Sequence, residues 1–497
     1  MGIIVRQGLK ASLATYIGVL IGTFTTLWLF PKLLSAGEIG LVQVIRDTSF
    51  LLAGAMQFGV GEIINRFMPI YKDEPTRNQG LLSFALLYLA CFSLLFGLLF
   101  WLLHPYWIVW YREESPELLH YFYWMLPLGL VMAVATTLEA YVRSFFRIAI
   151  PAGLREIYLR VGLGLVVLLY AWGYVSMQGL IVSLLVVYVV YALLLWAYTH
   201  QLGVAWLARI QPLLWQKAHL RPILMYGGMI FLGGMSSMFM SRIDILMIGA
   251  YLGMSATGLY VIPMFVGVMI EIPLRTLGHI TTPVVAEAWH RQDYETLWQV
   301  YHRSALNMLL LGGLLFVGIW ANVDNIFALM PNGEMYAQGK YVIFFTALGR
   351  LISVAGGVNS VILLQSRYYQ FNLWLALGLA LLIFCTNLWF IPAYGIEGAA
   401  AATAISLLIW SVVKIAFVWY IFGLQPFNHK NLQALLILLV AGTAGFYCPR
   451  FASVWVDLFV RSGLIVLLFG AGAYYWAVSE EGMQLLQRGL TWLRRKR

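Results

Sequence analysis

Charge is what this chain has least of. Asp, Glu, Lys and Arg make up 10% of its 497 residues, where a soluble domain carries about a quarter. With 62% hydrophobic residues, that shortage excludes a long soluble domain and leaves one polytopic membrane protein. Cysteine is nearly absent as well. Cys91, Cys385 and Cys448 each lie in an apolar run with no second Cys or His at ligand spacing, which reads as buried, inert thiols rather than a disulfide or metal site. No glycine-rich phosphate loop, zinc spacing or nucleophile elbow occurs. Arg6 breaks the myristoylation pattern that Met1 and Gly2 would open. The net charge of +10 does not point to nucleic acid, because the basic residues are dispersed.

Apolar runs are what the chain has instead. A spanning helix needs about 20 mostly apolar residues. That test gives fourteen spans, near residues 11–34, 39–64, 80–104, 118–139, 153–173, 178–199, 222–252, 257–280, 303–328, 340–364, 370–391, 397–422, 431–449 and 455–477. The first is too long for a signal-peptide core and no small-residue cleavage site stands out, so it reads as retained. With both termini in the cytoplasm, twenty Lys and Arg fall on the inside, and four, Lys32, Arg112, Lys340 and Arg450, on the outside. This is the asymmetry that orients membrane proteins.

The chain also repeats itself. SRIDILMIGAYLGMSATGLYVIPMF, residues 241–265, joins two apolar runs through a short glycine-punctuated turn, and LFPKLLSAGEIGLVQVIRDTSF, residues 29–50, is a weaker copy. Setting Gly40 on Gly258 sets Leu41 on Leu259 and Leu34 on Leu252, an offset of 218. The turns at 172–179 and 391–398 end in Gly179 and Gly398, an offset of 219. The expected fold is therefore all-α, with two six-helix bundles related by a pseudo-two-fold axis and two added C-terminal helices. The expected domains are residues 1–199, a cytoplasmic interfacial linker at 200–221 carrying Trp206 and Trp215, a second bundle at 222–422, helices 13 and 14 at 423–479, and a basic amphipathic tail at 480–497.

Charges inside the spans cost a few kcal/mol each and usually meet a partner or a watery cavity. The basic ones are Arg46, Arg160, Arg242, Arg275, Arg350, Lys414 and Arg461; the acidic ones include Asp47, Glu62, Glu139, Asp244 and Glu271. Arg46, Arg242, Arg275, Arg350 and Lys414 are the candidates for a cationic, substrate-binding cavity. Asp47, Asp244 and Glu271 are the candidates for ion coupling. Plain structural pairing competes with these readings. Glu271 and Arg275 are four apart, as are Glu62 and Arg66, and Glu139 and Arg143. Arg160 and Arg461 could snorkel or pair. Arg350 and Lys414 have no acid within a turn, so any carboxylate partner must come from another helix. Pro263 and Pro273 are hinge candidates.

The duplicated hairpin, the fourteen spans and the turn YGIEGAAAATAIS resemble the polysaccharide-transporter (Wzx-type) branch of the multidrug/oligosaccharidyl-lipid/polysaccharide exporter superfamily. Leu252-Gly253 followed by Gly258-Leu259-Tyr260 carries the resemblance, with Val42 standing in the first half where Tyr260 stands in the second. The resemblance implies a flippase of the bacterial inner membrane. Its cargo would be a polyprenyl-pyrophosphate-linked oligosaccharide, moved by alternating access. It would be driven by a sodium or proton gradient, without a bound cofactor or metal, and would work among membrane lipids beside a polysaccharide polymerase or chain-length regulator. A lipid II flippase or a multidrug cation antiporter of the same superfamily is the first rival. The second is a membrane-embedded polymerase or glycosyltransferase, disfavoured because the outer loops near 105–117 and 329–339 are short.

Overall fold

The computed structural model describes residues 2–71, 75–202 and 217–478. Most of the expected linker and all of the expected basic tail lie outside the described residues. Every regular element among the described residues is a helix, as an apolar solvent requires of a chain without a closed barrel.

Among the described residues ten helices are long and apolar enough to cross a membrane, or eleven if the bent pair Gly333–Ala355 and Asn359–Gln365 is one span. Two of the ten are interrupted by glycine. Gln370–Phe422 would be about 80 Å long as a single helix at 1.5 Å per residue, far beyond a bilayer core. Gly395, at φ 61°, breaks it where the sequence places a turn. Gly253, at φ 88°, breaks Ile243–Val268 in the same way. The helices Leu159–Ala171 and His429–Phe446 are shorter and lie on two further expected spans. The protein is an all-helical, multi-pass membrane protein.

The chain forms two compact units, Met1–Val261 and Ile262–Arg497. The first unit is cored by Ile63, Ile64, Tyr88, Leu138, Tyr141 and Leu195 from four helices. The second packs Leu297, Tyr301, Ile362 and Val418 together, and seats His429–Phe446 on Tyr294–Ala321 through Ala434, Ile437, Leu306 and Leu310.

One expectation is overturned. Cys91 and Cys385 are exposed and Cys448 is half-buried, all three as free thiols. An apolar run does not imply the protein interior here, because the surface of a spanning helix is itself apolar. Leu94, Leu98 and Trp101, near Cys91, are also exposed.

Arg461 shows how the last two helices are fixed together. It is 5% exposed and bonds Asp457 through Nε at 3.2 Å. It also donates to the carbonyls of Gly445 at 2.8 Å and Cys448 at 3.2 Å. The Gly445 carbonyl is in the last turn of the helix His429–Phe446, where carbonyls lack a partner within the helix, and the Cys448 carbonyl lies just past that end. Asn325 completes the group on Asp457.

The repeat pairing recurs in space within the first unit. A methyl group on Gly40 would collide with the Met254 carbonyl, and one on Gly258 with the Ala36 carbonyl. Gly37 meets Ser255. Each pair exchanges partners at the same offset of 218, the signature of a local two-fold relation. Ala36–Gln57 and the helix after Gly253 therefore cross backbone to backbone, as small residues permit in membranes.

Two predictions follow from this packing. Gly258→Val should cost at least the ~1–3 kcal/mol of an overpacked contact and lower the melting temperature of the detergent-solubilised protein. Gly470→Val, where nothing lies within 4 Å, should leave it unchanged; equal melting of the two would refute the crossing. Arg461→Met should destabilise by about 3 kcal/mol, the scale for leaving a buried carboxylate unpaired. Restoration by Asp457→Leu in the same chain would show that the uncompensated charge is the cause.

Candidate functional site

The first unit gathers its intramembrane charges around Asp47. The helix Ala36–Gln57 starts at Ser35 in a capping box with Glu38, which fixes its register. Asp47 is 2% exposed. Arg242 Nη1 lies 3.0 Å from Asp47 Oδ1, and Gln43 Nε2 donates to Oδ2 at 2.7 Å. Arg242 reaches it from a break in the seventh span, between Lys217–Met240 and Ile243–Val268. Its guanidinium lies 5.5 Å from the Phe50 ring, and its Nε is buried without a hydrogen-bond partner. Tyr188 is within electrostatic reach of Arg46, Asp47 and Arg242 together. Arg46 has no ion-pair partner among the described residues.

Asp244 is buried two residues on and accepts from the Tyr260 hydroxyl at 3.0 Å. The spacing could have foretold this contact, since Asp244 and Tyr260 lie eight residues either side of Leu252 in a tight hairpin. The turn end of that hairpin is held by Tyr111, which donates to Leu246 O at 2.8 Å, and Ser115, which donates to Gly249 O at 2.6 Å. Burial pushes the Tyr111 hydroxyl above its ordinary range, so it stays a donor.

A second ion-pair chain runs beside this group. Glu139 is 3% exposed, and its nearest cation is Arg155 at 2.6 Å rather than Arg143 at 3.9 Å. Tyr191 donates to it at 3.1 Å. Arg160 pairs with Glu156 at 2.8 Å and donates to the Gly18 carbonyl. Arg66 lies over the Tyr226 ring at 4.3 Å, while Glu62 takes a long contact from Asn65.

In the second unit Arg350 finds the carboxylate that the sequence required from another helix. Its Nη1 lies 3.0 Å from Glu271 Oε2, both side chains partly exposed. Lys414 donates to Ser360 at 3.1 Å, and no carboxylate joins it among the described residues. The side chains of Arg275 and Pro273 lie outside the described ones. Pro273 falls in the first turn of Ile272–His290, after the tight turn Met269–Glu271. Pro263 sits inside Ile243–Val268, whose one non-helical residue is Gly253.

The cations expected to line one cavity thus divide into two groups, one per unit. Arg242 and Arg350 are each held by a carboxylate named as a coupling candidate, while Arg46 and Lys414 carry no such partner among the described residues. Gln43, Tyr188 and Ser360 are neighbours that the sequence did not single out. Such polar residues carry no spacing signal when their partners come from distant helices. Among the described residues no group of three or more His, Cys, Asp or Glu could hold a metal ion.

A family model described as "Polysaccharide biosynthesis protein" matches residues 32–311. No curated protein matches the chain by sequence. The fold is shared with the lipid II flippase MurJ in an inward closed conformation, at TM-score 0.75 and 13% identity over 94% of this chain and 98% of that one. It is also shared with an inward-facing multidrug resistance MATE family transporter of the MOP superfamily, at TM-score 0.61 and 14% identity over 81% and 93%. A MOP superfamily transporter from Pyrococcus furiosus, described for a reverse polarity of its binding pocket, matches at TM-score 0.52 and 15% identity over 84% and 94%.

A double-mutant cycle should give Arg242→Ala and Asp47→Ala a coupling of about 1–3 kcal/mol in thermal stability. The cycle of Arg350→Ala with Glu271→Ala should fall lower in that range, because that pair is more exposed. Additive losses in the first cycle would sink the ion pair as an energetic unit.

Proposed function

We propose a transport function for this chain, which belongs to the polysaccharide biosynthesis protein family: it flips a polyprenyl-pyrophosphate-linked oligosaccharide from the inner to the outer leaflet by alternating access. The observation that carries the reading is the group around Asp47. Arg242 pairs with the buried Asp47 within the span, and Arg46, next to Asp47 in the chain, lies with both within electrostatic reach of Tyr188. A diphosphate offers two adjacent anionic groups to these two arginines, and guanidinium binds phosphate through a planar fork of donors. Cationic drugs would need the carboxylates to be available, whereas Asp47 and Glu271 each hold an arginine.

The same geometry suggests how an ion gradient could be coupled to the cargo. When the diphosphate takes Arg242, Asp47 loses its counter-charge while still 2% exposed. A carboxylate left so must be neutralised by a proton or a sodium ion. Glu271 is likewise held by Arg350, though both side chains are partly exposed. In this reading the chain catalyses no covalent step and works in the bacterial inner membrane with both termini cytoplasmic. A polysaccharide polymerase would consume its product, with a chain-length regulator as a further partner. Lipid II is the second reading, because it is also a pyrophosphate lipid and presents the same anion to the same arginines.

Complementation tests the reading. In a bacterial strain lacking its own O-unit flippase, the chain should restore surface polysaccharide. Arg46→Ala and Arg242→Ala should each lower that rescue at least tenfold at equal membrane expression, with lipid-linked intermediate accumulating. Wild-type rescue by both variants would refute the diphosphate site. Rescue of a lipid II flippase deficiency alone would move the cargo to the second reading.

A further inference from the structure

Within the first unit the helix Lys217–Met240 lies along Ala36–Gln57 and Val60–Tyr71 in an antiparallel seam. As one side ascends in number the other descends: Asp47 meets Arg242, Phe58 meets Phe231 and Arg66 meets Tyr226. The two ends of the seam differ in kind. Parting at one end strands Asp47, which is 2% exposed. At the other end the contacts are rings and backbone, and Arg66 is itself exposed, so the helices part there without stranding a buried charge.

Between the two ends stands a break in the helix. Ala36–Gln57 stops at Phe58, whose backbone is left-handed at φ 40°, followed by Gly59 at φ 78°. A bulky residue rarely adopts that conformation. The Phe58 carbonyl accepts from the Tyr88 hydroxyl at 3.1 Å, and the Phe58 ring stacks on Phe92 at 4.1 Å. Both partners belong to Pro75–Leu102. The break thus fastens the Phe58 ring to the next helix, where with Phe92 and Phe96 it makes a half-buried aromatic socket. Phe231 enters this socket, its centroid 4.6 Å from Phe58 and 5.5 Å from Phe96.

The helix that carries Phe231 is built to bend. Gly227, Gly228, Gly233 and Gly234 flank the ring, and glycine gives the backbone its greatest freedom. A methyl group on Gly59 would collide with the Gly227 carbonyl, so the seam closes there backbone to backbone. The opposite face, with Met225, Met229 and Leu232, is exposed. Beyond Met240 the helix breaks before Ile243, next to the hairpin that Tyr111 and Ser115 hold by its carbonyls.

We propose that Phe231 and its socket are a latch. Release of the ring lets the Arg66 end of Lys217–Met240 swing away from Phe58, Phe92 and Phe96, while the break beside the hairpin serves as the pivot. The latch supplies a moving part for alternating access and rests on that reading for its purpose, whereas the motion itself is measured without cargo.

In the full-length protein, with Cys91, Cys385 and Cys448 replaced by serine, nitroxides are placed at Leu95→Cys and Met225→Cys, both exposed positions. Pulsed electron paramagnetic resonance in lipid nanodiscs then reads the distance across the latch. Phe231→Ala removes two ring contacts and should raise the long-distance population about threefold or more. Phe231→Tyr should stay near the parent, and Leu232→Ala, beside it on the exposed face, should change nothing. Should Phe231→Ala fail to fold, Phe96→Leu should give a smaller shift in the same direction. A lower melting temperature with unchanged distances would make Phe231 an ordinary packing residue and overturn the latch. Equal shifts from Phe231→Ala and Leu232→Ala would overturn it as well. Failure of the chain to rescue a flippase-deficient strain would count against the cargo and leave this measurement standing.

Discussion

A charge inside a bilayer must be answered by another charge or by water, and much of this structure is the working out of that demand. Asp47, Glu139, Glu271 and Asp457 are each met by an arginine at 2.6–3.2 Å. In all but the last, that arginine comes from another helix. These pairs are strong because the medium is poor in water, and for the same reason they are costly to open. The fold therefore uses the same chemistry in two ways. Arg461 is 5% exposed and saturated by Asp457 and three carbonyls at or just past a helix end, so it fastens helices. Arg242 is 30% exposed on its side chain and keeps a buried Nε without a hydrogen-bond partner. Arg461 is therefore saturated by its partners, whereas Arg242 keeps a donor without one.

What could be read from the sequence was whatever depended on local pattern. The apolar runs, the turns at Gly253 and Gly395, and the offset relating Gly40 to Gly258 are all carried by neighbours in the chain. The offset proved more informative than a duplication alone, since the equated residues touch one another. The requirement that Arg350 take its carboxylate from another helix was also legible, because no acid lies within a turn of it. Which acid was not legible: Glu271 had a nearer candidate in Arg275 by spacing. Tertiary packing supplied Arg350, as it supplied to Glu139 an Arg155 closer than Arg143. The cysteines fail in an instructive way, because in a membrane protein an apolar neighbourhood describes the outside as well as the core.

The crossing at Gly40 and Gly258 bears on the charge cluster. It lies on the same helix as Asp47, about two turns away, and on the helix whose Tyr260 binds Asp244. Tyr111 and Ser115 hold the preceding hairpin by its carbonyls. The register of Asp47 against Arg242 is thus set by backbone contact and by buried hydrogen bonds to backbone carbonyls.

That rigidity matters for an exchange mechanism. An arginine shared between a carboxylate and a phosphate transfers efficiently only if the carboxylate cannot follow it. Asp47 is held by Gln43 from one turn before and by a helix locked at Gly40, so a departing Arg242 would leave it in place and uncompensated. The free energy of that stranded charge is what a proton or sodium ion would relieve, and it is large because the site is dry. Arg46, joined to Asp47 by one peptide bond, can neutralise part of it but shares the same helix and cannot approach further. Under the proposed mechanism anion binding and cation uptake would be one event, and the stiffness of the helix crossing, rather than any single contact, would set how tightly they are linked.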